Sequence, residues 1–319
     1  MKTVLITGGS GLIGRKLTRL LKEKGYEVIW LSRERYVKGE TPRYRWDYRT
    51  GEIDEEAIDR ADIVVHLAGA NIGDERWSKN RKKTIVESRT QTARLLLDTI
   101  KKKNKKLQCF ISASAIGYYG ASVSDRVFTE EDMPDAADFL ASTCRQWEEA
   151  VALPAQEASG IRTVIIRTGF VISKNSDAFK KMVFPTKLGL GSPIGSGRQY
   201  MSWIHIDDLC AIYLRAIEDG GMSGIYNAVA PEYINNADFM HRLARTLKRP
   251  FFMPNVPGFV MRLVMGEAAD LVLGGSRISS DKIRNAGFEF KYKTAKQALR
   301  ASVKAIREVE KRGRGKKSR

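Results

Sequence analysis

Val4-Leu5-Ile6-Thr7-Gly8-Gly9-Ser10-Gly11-Leu12-Ile13-Gly14 holds the pattern that decides the fold. Val4-Leu5-Ile6 is a short apolar run closed by Gly8-Gly9, which reads as a buried strand. Beyond it Ile13, Leu17, Leu20 and Leu21 fall at i, i+4, i+7 and i+8, one face of a helix, with Gly25 as its stop. Val28-Ile29-Trp30-Leu31 supplies a second strand, so strand, glycine turn, helix and strand make one βαβ unit. Gly8, Gly11 and Gly14 are spaced G-x-x-G-x-x-G within the turn. Gly8 permits the tight turn off the strand, Gly11 lets backbone approach a pyrophosphate, and Gly14 lets helix and strand pack closely. The helix N-terminus at Leu12-Ile13 then presents N–H groups and a positive dipole end to the phosphates. In this context the turn predicts a dinucleotide site.

The end of the second strand selects the cofactor. NAD sites usually carry Asp or Glu there, to hold the ribose 2′-hydroxyl. Ser32-Arg33 stands there instead, with Arg35 close by. A hydroxyl and a guanidinium fork suit a 2′-phosphate, so the expected cofactor is NADP(H). Asp47, after a third strand at Tyr44-Arg45-Trp46, either borders the adenine or is a turn residue.

The alternation continues with strands at Ile63 to Leu67, Cys109 to Ile111 and Thr163 to Ile166, and a helix over Lys82 to Lys101. Leu140, Cys144, Trp147 and Val151 mark a further helix. The expectation is an α/β fold, a Rossmann doubly wound parallel sheet over residues 1–230. A Gly-, Ser- and Pro-rich loop at 185–200 is expected to face the substrate side. A helix near Asp208 to Ile217 and a strand near Ile225 to Ala228 follow it. Residues 231–300 read as a smaller, mostly helical C-terminal substrate domain, and 301–319 as a helix end with a basic, disordered tail.

Length and composition fit this reading. The 319 residues suggest roughly two domains, and 43% hydrophobic residues suffice for a core. No apolar run is long enough to cross a bilayer. The N-terminus leads straight into the first strand, so it does not read as a signal peptide. Cys109, Cys144 and Cys210 have neither metal-ligand nor disulfide spacing, which points to the cytoplasm and to no metal. The formal charge of +18 is partly local, in Lys101 to Lys106 and Lys311 to Arg319. Solvated ends account for such runs. Nucleic-acid binding is the alternative, and no recognition motif supports it.

Gly8-x-x-Gly11-x-x-Gly14 and Leu67-Ala68-Gly69-Ala70-Asn71 resemble the extended and atypical short-chain dehydrogenases. Four stretches are narrower: Arg76-Trp77-Ser78 with Glu87-Ser88-Arg89, Ser112 to Gly120, Gly189 to Arg198, and Trp203-Ile204-His205-Ile206-Asp207-Asp208. With Leu273 to Arg277, they resemble an epimerase-family branch sometimes labelled SulA-like, to about Leu299. That resemblance implies Ser32 and Arg33 at the 2′-phosphate. It implies Leu67 and Ala68, beside Gly69, along the adenosine ribose, Arg89 near the pyrophosphate or ribose, and Val171 near the nicotinamide. It also implies hydride transfer with a carbonyl or sugar-like small molecule, a substrate the residues do not name. An old family label as a cell-division inhibitor implies instead a catalytically degenerate NADP(H) sensor or regulator.

One departure matters. Short-chain dehydrogenases typically use Tyr-x-x-x-Lys, the Lys lowering the Tyr pKa for acid–base work. Aligning Glu148 with the Glu that commonly follows that Lys puts Leu140 and Cys144 at the Tyr and Lys positions, where they read as packing residues. Ser114 falls at the family's catalytic Ser or Thr position, and Tyr118 and Tyr119 lie at the carboxyl end of the same strand, where ligands bind in open α/β sheets. These three are the catalytic candidates. Arg198 is read as an anion holder or a solvated side chain, and His205 as an acid or base or a structural hydrogen-bonding group.

Overall fold

The computed structural model describes residues 1–34, 41–134, 138–157 and 160–317, without the side chains of 153–157 and 311–317. Arg35 and the end of the basic tail therefore lie outside the described residues.

In chain order the elements begin β1 (Thr3–Thr7), α1 (Leu12–Glu23), β2 (Glu27–Ser32), β3 (Arg43–Asp47), β4 (Glu52–Ile53), α2 (Glu55–Arg60), β5 (Ile63–His66), α3 (Lys79–Lys102) and β6 (Cys109–Ala115). Then come β7 (Val127–Phe128), α4 (Phe139–Glu157), β8 (Thr163–Thr168), β9 (Phe170–Ile172), α5 (Asp177–Lys187), β10 (Trp203–His205), α6 (Ile206–Glu218) and β11 (Gly224–Ala228). The rest is α7 (Asn236–Leu247), α8 (Gly258–Met265), α9 (Asp270–Leu273), β12 (Arg277–Ile278), α10 (Asp281–Asn285) and α11 (Ala295–Lys317).

The first of two units comprises Met1–Gly120, Met133–Thr168 and Leu209–Asn227. Its sheet runs β11-β8-β6-β5-β1-β2-β3-β4. β1 pairs in parallel with β2 on one side and β5 on the other. The chain thus reverses its direction of travel across the sheet between these strands, and their carboxyl ends flank the switch point where open α/β sheets bind ligands. All five residues of β1 are buried, as a strand covered on both faces requires. One face packs under α3 and α4 through Ala93, Leu96, Leu97, Trp147 and Val151. The four apolar positions that predict α4 are all buried. β4 pairs antiparallel with β3, a two-residue strand that closes the sheet edge.

The second unit comprises Ala121–Asp132, Gly169–Asp208 and Ala228–Arg319. Residues 169–208, grouped by sequence with the first 230, therefore belong here. It contains the parallel pairs β9·β10 and β7·β12 and a core of Phe179, Trp203, Phe239, Leu243 and Leu299. The expected loop at 185–200 starts later, because α5 runs on to Lys187 with Pro185 inside it. Phe179 and Val183, both buried, anchor that helix, and tertiary burial overrides the proline. α11 likewise continues to Lys317, into the tail expected to lack regular structure. No described helix is long and apolar enough to cross a membrane.

Candidate functional site

The glycine turn is tight because other backbone and one indole fill the space where side chains would go. Gly8 has φ +67°, and a Cβ there would lie 2.9 Å from the Leu67 carbonyl carbon. A Cβ on Gly14 would come 2.5 Å from the Gly8 carbonyl oxygen. Gly9 carries a constraint the G-x-x-G-x-x-G spacing does not report: its Cβ would sit 2.4 Å from the Trp30 ring. That ring is 6% exposed, and its Nε1–H donates to Thr18 Oγ1 at 2.9 Å. Gly11 is the N-cap of α1 without a side-chain cap, so the first-turn amides at Leu12 and Ile13 have no side-chain acceptor.

Opposite this turn, the end of β5 is fixed through Thr7. Its Oγ1 accepts the N–H groups of Leu67 and Ala68, each at 3.1 Å. Its single proton therefore goes to His66 Nδ1, 2.8 Å away. His66 is then neutral with its proton on Nε2, which faces Thr92 Oγ1 at 3.3 Å. Burial drives the imidazole pKa down to about 4.

Arg89 grips the loop that follows. Its guanidinium donates to the Ile85 and Ala70 carbonyls at 2.8 and 3.1 Å and packs on Trp147. It also fills the space beside Gly69, where a Cβ would lie 3.2 Å from its Cζ. No carboxylate among the described residues pairs with it, and burial lowers its pKa, with Arg81 adding to the effect.

At the end of β2, Ser32 accepts the Glu34 N–H at 3.3 Å, and Arg33 is exposed. Asp47 accepts the Arg49 N–H at 2.9 Å, the turn role of the two open for it.

The catalytic candidates converge on a salt bridge that the sequence reading does not name. Arg167, at 1% exposure, donates through Nε and Nη2 to the two Glu148 carboxylate oxygens at 2.8 and 2.7 Å. Ser114 donates to Glu148 Oε1 at 2.6 Å. Tyr119 accepts from Arg167 Nη1 at 2.9 Å and donates to Asn227 Oδ1 at 2.8 Å. The Tyr118 ring centre lies 3.4 Å from the Arg167 guanidinium carbon, and among the described residues its hydroxyl meets only the soft Met133 sulfur, at 3.7 Å. Burial opposes the Arg167 charge, yet the bonds to Glu148 outweigh it and hold the guanidinium above its ordinary pKa. The one signal in the sequence is an arginine ending the apolar strand Val164 to Ile166. Leu140 and Cys144 pack beneath Gly117. Burial, then the Glu148 charge, pushes the Cys144 thiol up to about 12, so it stays protonated.

The remaining candidates lie in the second unit. Val171 pairs in register with Ile204. His205 is buried and stacks 4.0 Å from the Tyr292 ring centre. Its Nδ1 accepts the Asp207 N–H at 3.2 Å. Arg198 is exposed, and its backbone N–H meets Ser196 Oγ at 3.2 Å. No group of His, Cys, Asp and Glu that could hold a metal occurs among the described residues.

Residues 4–228 match the model of the NAD dependent epimerase/dehydratase family, and 256–302 match a domain of unknown function, DUF1731. The chain belongs to that epimerase/dehydratase family. It is 35% identical over 304 residues to mouse epimerase family protein SDR39U1, covering 94% of this chain and 99% of the relative. It is 37% identical over 297 residues to epimerase family protein ML0860 of Mycobacterium leprae, covering 93% and 94%. The crystal structure of human SDR39U1 (isoform 2) with NADPH superimposes with a TM-score of 0.84 at 32% identity, over 95% of this chain and 99% of that one.

Proposed function

We propose that this chain is an NADP(H)-dependent oxidoreductase or epimerase-like enzyme acting on a small carbonyl or sugar-like substrate. One observation carries the reading: a glycine turn with no room for side chains at Gly8, Gly9 or Gly14 lies in the same unit as the Arg89 guanidinium, which lacks a carboxylate partner among the described residues. Backbone amides and unpaired cations are what a dinucleotide's phosphates require. Ser32 and Arg33 take the 2′-phosphate. Leu67, Ala68 and Gly69 line the adenosine ribose, Arg89 takes the pyrophosphate or ribose, and Val171 borders the nicotinamide. The NADPH of human SDR39U1 supports this choice. Three buried cysteines outside any disulfide support a cytoplasmic location.

Bound NADP(H) supplies the hydride. Of the three candidate hydroxyls, Ser114 and Tyr119 commit their protons to Glu148 and Asn227. Tyr118 alone faces a weak acceptor, so Tyr118 is the proton donor to the substrate oxygen. Arg167 orients its ring, and Ser114 and Tyr119 hold Arg167 and Glu148 in place.

The test is NADPH oxidation across a panel of aldehydes, ketones and nucleotide sugars. Tyr118→Phe is expected to lower turnover by ~10²-fold or more, the usual weight of a proton-transfer group. Unchanged turnover removes Tyr118 from the mechanism. Tight NADPH binding with no turnover on any substrate supports a second reading, a cofactor-sensing regulator. The committed protons of Ser114 and Tyr119 favour that reading.

A further inference from the structure

Arg43 opens β3 and stands level with Trp30 in the parallel register between β2 and β3. Its guanidinium carbon lies 5.1 Å from the centre of the Trp30 ring. That ring is Arg43's side-chain partner among the described residues, in a chain with 37 carboxylates. Its strand neighbour two residues on, Arg45, spends its charge on Glu52 at 3.3 Å. Stacking engages the flat face of a guanidinium and leaves its edge N–H donors for another acceptor.

The platform under Arg43 is fixed. Trp30 is tied to Thr18 through its Nε1–H, and its ring blocks any Cβ at Gly9. The cation is thereby held beside the glycine turn. Ser32, two residues after Trp30, projects to the same face of the sheet as Trp30 and Arg43 by strand alternation. Arg33 follows it, exposed. A hydroxyl and a guanidinium group thus share one face of the sheet beside the turn, with the exposed Arg33 next along the chain, and none of the three is paired with a carboxylate among the described residues.

We propose that Arg43, docked on Trp30, is a second cation for the cofactor's 2′-phosphate and a determinant of NADP(H) over NAD(H) selection. The inference rests on the NADP(H) reading above. A phosphate dianion can accept from two guanidinium groups at once, whereas the 2′-hydroxyl of NAD(H) offers no charge for Arg43 to meet.

The test is titration of the intact protein with NADPH and NADH, and with 2′,5′-ADP and 5′-AMP as fragments that differ in the 2′-phosphate. Arg43→Gln is expected to weaken NADPH and 2′,5′-ADP by ~10-fold or more while NADH and 5′-AMP change by less than ~3-fold. Arg43→Lys, which keeps the charge but loses the fork, is expected to fall between. The thermal midpoint should hold, because no ion pair is removed. An unchanged NADPH-to-NADH preference in Arg43→Gln overturns the proposal while leaving the cofactor reading intact. Equal weakening of both cofactors also overturns it, since Arg43 would then serve the shared adenosine. A wild-type protein that does not distinguish the two cofactors overturns the NADP(H) reading and this proposal with it.

Discussion

Arg89 and Arg167 are both arginines with little solvent around them, in the same unit, and they are held in opposite ways. Arg167 has a bidentate carboxylate, a phenol oxygen and an aromatic ring, and although burial opposes its charge, the bonds to Glu148 hold its pKa above the ordinary value. Arg89 has two backbone carbonyls, a tryptophan face and, among the described residues, no carboxylate, and burial leaves its pKa depressed. A satisfied ion pair makes Arg167 part of the framework. A cation without a carboxylate among the described residues is the basis for proposing Arg89 as a contact for an anionic group of the cofactor. The cofactor end of the unit is open in its charges, and the Glu148–Arg167 end is closed on itself.

Substitution should separate these two roles. Arg167→Met strands the Glu148 carboxylate in the interior and is expected to destabilise the protein by about 3–5 kcal/mol in urea unfolding. The Arg167→Met, Glu148→Leu double variant should recover much of that loss. A single variant as stable as wild type would show that the pair is not a framework element.

Acid should loosen the cofactor end next. Folded His66 titrates at about 4, against an ordinary value of 6.5. Above pH 6.5 both folded and unfolded chains carry it neutral, and its contribution is complete. As pH falls from 6.5 to 4 the unfolded chain takes up a proton that the folded one refuses, so stability drops by up to about 3 kcal/mol across that window. His66→Gln should flatten this part of the stability profile. An equally steep profile would remove His66 from the account.

Arg89→Met is expected to act mainly on binding. NADPH affinity should fall by ~10- to 100-fold, the weight of a charge-assisted contact, while the unliganded protein loses about 1 kcal/mol or less. A large stability loss with intact binding would reverse the contrast with Arg167.

Much of this was legible in the sequence, and the rest was not, for physical reasons. β1, α1 and β2 announce themselves because burial on one helix face and along a central strand imposes a repeating apolar pattern. Gly8, Gly11 and Gly14 follow a spacing tied to phosphate binding. Gly9 is hidden because its reason is Trp30, twenty-one positions away and in contact only once β1 and β2 pair. Glu148 and Arg167 come from a helix and a strand, and no local pattern links them. The Tyr-x-x-x-Lys gap at Leu140 and Cys144 was visible, whereas the cation that stands against Tyr118 from β8 emerged only from the packing. Pro185 misleads because proline reads as a helix breaker, while the buried Phe179 and Val183 carry the helix through it.

The central claim is a dinucleotide site selective for the 2′-phosphate, and its most direct test is the relative affinity for NADPH and NADH in the wild type and in Arg33→Asp. Wild-type protein is expected to bind NADPH at least ~10-fold more tightly, and Arg33→Asp to narrow or invert the preference by setting a carboxylate against the phosphate. Equal affinities in the wild type, or a preference that Arg33→Asp leaves unmoved, would contradict it.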